Sequence, residues 1–184
     1  DCDFRVGNDE YMKQNNSYGV STLKSKHVLV NKDKVIIDFI GKKSVRNVCP
    51  VKNKTMKKHL KKKKKTLKKN SRIFKCNGIN ISSSDVNNYI KQFGDFSSKD
   101  FRTWSANIKL IKYLLKSDHE NLNKSIKECL DKVSDKLHHT PEVCKKNYIF
   151  TELIEFYKND KPKFNRYFKS NINKRLSEFL KQNY

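Results

Sequence analysis

The stretch His139-Thr140-Pro141-Glu142-Val143-Cys144-Lys145-Lys146-Asn147-Tyr148 decides how this chain is read. It places one imidazole, two ammonium groups and a phenol within ten residues. A Tyr hydroxyl that attacks a phosphate needs cationic donors around the anion and gains nothing from a carboxylate pair. A Tyr in such a setting, on a basic chain, is a candidate for covalent chemistry on a nucleic-acid backbone.

Upstream of Pro141, which interrupts the pattern, apolar residues recur at helical spacing. Leu122, Ile126, Cys129, Leu130, Val133 and Leu137 predict a helix over 121–137. Phe101, Trp104, Ile108, Ile111, Leu114 and Leu115 predict another over 99–116. Val86, Tyr89, Ile90 and Phe93 follow a Ser/Asp start of the kind that opens helices. Downstream, Ile149, Leu153, Phe156 and Tyr157 mark a further helix, and Phe168, Ile172, Leu176, Phe179 and Leu180 mark the last. Such stripes face a core by default.

Residues 18–48 read differently. Val20 and Thr22 alternate with Ser21 and Leu23, a second run covers 27–30, and Val35–Ile40 is rich in β-formers. Gly41 stands where a hairpin turn is expected, before Val45 and Val48. Together these predict three or so antiparallel strands. The fold class is therefore α+β, a small sheet followed by a mainly helical bundle. We find no internal repeat and expect one domain over 1–184, with no separable second domain. Residues 52–72 form a lysine block, read as an inserted loop or solvated helix face that assists DNA binding, with nuclear localisation a weaker reading.

Lys+Arg is 42 against 19 Asp+Glu, a net charge of +23. That excess attracts polyanions. Nucleic acid is the expected partner, ahead of an anionic membrane. No apolar run approaches the ~20 residues that span a bilayer. No positive-then-apolar leader is present, so nothing here points to secretion. The opening on Asp1, inside what reads as a working motif, leads us to expect a missing N-terminal part. The five Cys are scattered and include no CxxC pair, so reduced thiols are expected and a zinc site is not. No Asp/Glu cluster of the kind that holds Mg²⁺ is evident. No cofactor or metal is expected.

Five side chains could carry the chemistry. Arg5, followed by Val6 and Gly7, sits where a turn could present a guanidinium to an anion. Lys42 follows Gly41 at the hairpin tip. Arg102 lies between the core-like Phe101 and Trp104, where an unpaired charge is costly to bury. Pairing with Asp100 or Asp95 is its ordinary alternative. His139 and Tyr148 complete the set. Each alone reads as a surface or packing residue.

Their order, Arg5, Lys42, Arg102, His139, Tyr148, resembles the catalytic pentad of type IB DNA topoisomerases of the poxvirus and large-virus subfamily. The resemblance runs across nearly the whole chain. Arg5-Val6-Gly7 with Tyr11 and 19–27 is similar to the family's opening arginine segment. Phe39-Ile40-Gly41-Lys42 is similar to its lysine hairpin. Tyr89–Gly94 with Ser98–Thr103 is similar to its second-arginine helix. His139-Thr140-Pro141 with Tyr148 is similar to its histidine and nucleophile.

That resemblance implies a tyrosine recombinase/topoisomerase IB catalytic fold and transesterification without ATP. Tyr148 would form a 3′-phosphotyrosyl link. Arg5, Arg102 and His139 would donate to the nonbridging oxygens, and Lys42 would protonate the departing 5′-oxygen. Gly7, Tyr11, Asn107, Lys145 and Lys146 would contact or position DNA. It implies double-stranded DNA as partner, no membrane, a monomer, and an intracellular place: a virion or viral factory for a viral protein, the nucleus for a cellular eukaryotic one.

Some positions depart from the family. His138 replaces a small residue, Lys43 replaces a common acidic one, and the Lys57–Lys69 block looks inserted. The family's N-terminal clamp domain is not in this sequence. A tyrosine recombinase is the nearest rival, but it usually has His where Lys99 stands and Arg where Glu142 stands. A nonenzymatic nucleic-acid-binding protein is the rival from another class.

Overall fold

The computed structural model describes residues 2–183. The chain forms two compact units, Asp1–Lys99 and Asp100–Tyr184.

The first unit opens with helix α1 (Asp9–Asn15), capped by Asn8, whose side chain accepts from the Tyr11 amide at 2.9 Å. Its sheet has the order β1-β2-β3 and is antiparallel, from β1 (Val28–Asn31), β2 (Lys34–Ile40) and β3 (Arg46–Pro50). Period-two alternation turns Val35, Ile37 and Phe39 inward. Helix α2 (Lys54–Thr66) covers that face with one buried residue, Leu60. Leu23, Val28, Val51 and Ile73 complete the core. The chain around 69–73 pairs its backbone with 23–26. A short hairpin of β4 (Lys75–Cys76) and β5 (Ile79–Asn80) leads to α3 (Ser83–Lys91).

Three expectations are corrected here. Val20–Thr22 is a single 3₁₀ turn, not a strand, because Gly19 starts it and Thr22 closes back on Gly19. The α3 stripe does not enter a core: this helix buries none of its residues, and Tyr89 and Phe93 stay 62% and 70% exposed. Cys2 and Cys49 are not free thiols. They form a disulfide, and their Cα atoms stand 5.7 Å apart. Cys76, Cys129 and Cys144 are free.

The second unit is helical: α4 (Ser98–Leu114), α5 (Leu122–Leu137), α6 (Pro141–Tyr148), α7 (Thr151–Asn159), α8 (Lys161–Phe168) and α9 (Ile172–Asn183). The last predicted helix is thus two, parted at 169–171, where Asn171 takes φ 34°. Tyr157, Phe164 and Phe168 are fully buried among Leu110, Leu114, Leu153 and Leu176. Trp104 ties α4 to α9 through Nε1 to Asn173 Oδ1 at 3.1 Å. Phe101 stays 63% exposed, against its core assignment.

Candidate active site

The five candidate side chains divide between the units. Arg5 and Lys42 belong to the first, and Arg102, His139 and Tyr148 to the second.

In the first unit, two backbone bonds hold the arginine segment. Val20 N–H donates to Arg5 O at 2.9 Å and Ser21 N–H to Val6 O at 2.6 Å. The strands of chain meet at two glycines. Gly7 takes φ +94°, and a Cβ on Gly19 would lie 2.5 Å from Gly7 Cα. No side chain fits at that crossing. Gly7 therefore acts on the backbone that carries Arg5, and Gly19 is a partner that sequence reading missed. Phe4 anchors the same segment edge-on to Phe39, with ring centroids 4.8 Å apart.

Lys42 stands exposed at the tip of the β2–β3 hairpin, where Gly41 N–H donates to Val45 O at 2.8 Å. A Cβ on Gly41 would meet Asn47 Nδ2 at 2.5 Å and force the buried Asn47 side chain to shift. Lys43 and Ser44 turn the chain in left-handed conformations, φ 61° and 58°. The Tyr11 ring lies 5.3 Å from Lys42 Nζ, a cation–π distance. Tyr11 thus meets the lysine of the set. An ion pair between Arg72 and Asp9 fixes α1, which carries Tyr11. His27, buried under Tyr18 with centroids 4.3 Å apart, has its pKa lowered to about 4. Burial is the main cause and Lys26 the next. Its Nδ1 accepts the Lys24 amide at 3.1 Å, which requires the neutral ring at that nitrogen.

In the second unit, three candidates converge. Arg102 sits on α4 with only 7% of its surface exposed. Its Nη2 donates to Leu137 O at 3.0 Å and lies 3.4 Å from His139 Nε2. Its Cζ is 5.4 Å from the Tyr148 ring centroid. The His139 and Tyr148 rings have centroids 4.8 Å apart. A guanidinium, an imidazole and a phenol therefore share one small volume.

Local sequence explains how they arrive there. α5 is capped by His138, which takes the left-handed conformation, φ 56°, while His139 N–H donates back to Ser134 O at 3.0 Å. A left-handed residue just past a helix end is where small residues are favoured. That accounts physically for the family's usual choice at this position. Thr140 caps α6, its hydroxyl accepting from Val143 N–H at 3.4 Å, and Pro141 opens the helix. α6 then places Tyr148 at its last residue, half-buried. Cys144, one turn before Tyr148, is fully buried, and burial pushes its thiol up to about 11.

Asn107 has a role that spacing did not suggest. It is completely buried. Its Nδ2 donates to Thr103 O and to Tyr148 O, both at 2.8 Å, and its Oδ1 accepts from Phe150 N–H at 2.9 Å. The amide grips the backbone on both sides of Ile149, immediately after the phenol. Lys145 and Lys146, by contrast, are exposed on α6.

Comparison with known proteins supplies the family. The family model for the catalytic core of eukaryotic DNA topoisomerase I matches residues 1–176. The chain belongs to the DNA topoisomerase I family. It is 29% identical to DNA topoisomerase 1B of Acanthamoeba polyphaga mimivirus over 182 residues, covering 89% of this chain and 53% of that protein. It is 28% identical over 162 residues to DNA topoisomerase 1B of vaccinia virus, strain Copenhagen, covering 84% and 50%. The monkeypox virus DNA topoisomerase I matches with the same identity and coverage. The chain thus spans about half the length of these topoisomerase I relatives. No helix among the described residues is long and apolar enough to cross a membrane.

Proposed function

We propose that this chain forms the core of a type IB topoisomerase that relaxes duplex DNA by transient cleavage of one strand. The observation that carries the reading is the convergence of Arg102, His139 and Tyr148. Tyr148 attacks a phosphodiester in line; its phenolic proton leaves and the 5′-oxygen departs as a hydroxyl. A 3′-phosphotyrosyl bond replaces the DNA bond. After strand rotation the 5′-hydroxyl attacks that bond and releases Tyr148. One phosphoester is exchanged for another, so no ATP is consumed.

Charge assigns the remaining roles. Negative charge grows on the nonbridging oxygens, and Arg102, His139 and Arg5 donate to them. Removing one such donor typically costs about 10²–10³ in rate. Lys42 delivers the proton to the departing 5′-oxygen, a service typically worth about 10²–10⁴. Tyr11 orients Lys42, and Lys145 and Lys146 meet DNA phosphates beside the nucleophile. These cations neutralise the anion themselves, so the reaction has no obligatory metal. Both units together make one catalytic domain, and it acts as a monomer, since one nucleophile cuts one strand. The setting is intracellular DNA, in a viral factory or virion for a viral chain, or a nucleus for a cellular eukaryotic one.

The test is relaxation of supercoiled plasmid in EDTA without ATP, quenched with detergent, beside Tyr148→Phe. Relaxation with a covalent protein–DNA adduct, both lost in the variant, is expected. DNA retention with no adduct would overturn the enzymatic reading and leave a binding protein. Joining of two specific duplexes would instead favour a recombinase.

A further inference from the structure

α2 carries eight lysines in thirteen residues and no acidic residue. The chemistry proposed above uses none of them. Leu60 fixes how the helix lies, because it is the one α2 residue buried in the core. Lys54, Lys58, Lys62 and Lys65 follow one another at i, i+4, i+8 and i+11, so they line one face, opposite Leu60. All four are exposed, and none forms an ion pair among the described residues. The nearby exceptions lie off this ridge: Lys61 meets Asp33 at 3.2 Å, and Lys64 donates to Ser25 O at 2.8 Å.

We infer that this lysine ridge is a further nucleic-acid surface, taking the phosphate backbone of a DNA duplex while supplying no reacting group. The inference rests on the reading of the chain as a DNA enzyme. The ridge is about 16 Å long at the α-helical rise. One DNA strand presents a phosphate every ~3.4 Å along the axis, so about five phosphates face that length. Like charges at i, i+4 disfavour the bare helix, and a polyanion relieves that repulsion. An anionic membrane fits less well, since the opposite face offers only Met56 and the already buried Leu60, too little apolar surface to insert. A receptor for extended lysine peptides fits less well too, because a helix points successive lysines to different sides.

The experiment measures the affinity of the full chain for a linear duplex as a function of salt. Lys54, Lys58, Lys62 and Lys65 are changed together to Gln, and in a second variant to Arg. A third variant changes Lys124, Lys127, Lys132 and Lys136 of α5 to Gln, removing the same charge elsewhere. Each phosphate contact contributes ~0.9 to the slope of log affinity against log salt. The α2 Gln variant is expected to lower that slope by about 3, the Arg variant to keep it, and the α5 variant to lower it less. An unchanged slope, an equal loss from α5, or an Arg variant as defective as Gln would each overturn the ridge. Binding needs no covalent step, so the slope is also read in Tyr148→Phe. Failure to form an adduct would sink the enzyme reading without touching this measurement.

Discussion

The two units reach stability by different routes. Among the described residues, the first has a thin core of eight buried apolar residues, of which α2 supplies only Leu60. It compensates with constraints on the chain itself: the Cys2–Cys49 link, the Gly7–Gly19 crossing and the Gly41 hairpin. The second buries eighteen of its described apolar residues in one core and clusters its aromatics, with Phe156 stacked on Phe179 at 5.8 Å. The candidate catalytic groups follow the same division. Lys42 extends into solvent from a turn, whereas Arg102 is packed inside a helical unit. A thin, stapled scaffold presents its cations; a dense one locks them in place.

Changes that act on one unit and spare the other test this contrast. The largest effect is expected from Phe164→Ala. Phe164 is fully buried against Tyr157 and Phe168, with ring centroids 5.2 and 4.8 Å away. The loss should be about 3–5 kcal/mol, read as faster amide exchange across α4–α9. Unchanged exchange there would show that the second core is not what holds its helices.

Reduction of Cys2–Cys49, which closes a loop with a sequence separation of 47, should remove about 2–4 kcal/mol. Faster exchange in β1–β3, with α4–α9 unaffected, is the expected signature. Thermal unfolding that ignores reductant would mean that the first unit stands on its core alone.

Asn107→Ala frees the backbone after Tyr148. Single-turnover cleavage should slow by about 10², the scale of a small misplacement of a reacting group, with little change in duplex affinity. Equal losses of rate and affinity would point instead to general disruption of the second unit.

The last effect, absent at neutral pH, is a pH dependence confined to the first unit. His27 has a folded pKa near 4, below its unfolded value of 6.5. Between those values the unfolded chain takes up a proton that the fold refuses. Stability is therefore intact above pH 6.5 and falls as pH drops towards 4, by at most about 1.4 kcal/mol per pH unit. His27→Asn, which keeps an acceptor near Nδ1, should flatten that part of the profile in a urea titration.

Much of this was legible in the sequence for definite reasons. Gly41 between two β-rich runs marked the hairpin, and apolar spacing marked α4, α5 and α7. Periodicity reports an amphipathic face and not its neighbour, so the exposure of Tyr89, Phe93 and Phe101 could not be read from it. The break at 169–171 carries neither Pro nor Gly, so α8 and α9 looked continuous. The Cys2–Cys49 pair has no spacing signature. Asn107 was noticed, but its partners are backbone atoms 41 and 43 residues away, and no side-chain pattern records those. The convergence of Arg102, His139 and Tyr148 was legible only through the order of motifs, since 46 positions separate the first from the last.

The buried thiol of Cys144 makes the helix of the proposed nucleophile observable. The thiolate is the form that attacks alkylating reagents, and this thiol is both covered and held protonated while α6 stays seated. Its labelling rate therefore times how often α6 lifts away, one turn from Tyr148. The exposed Cys76 on the same chain labels at once and gives the reference. The molecule carries its own stopwatch for the seating of the helix that holds Tyr148.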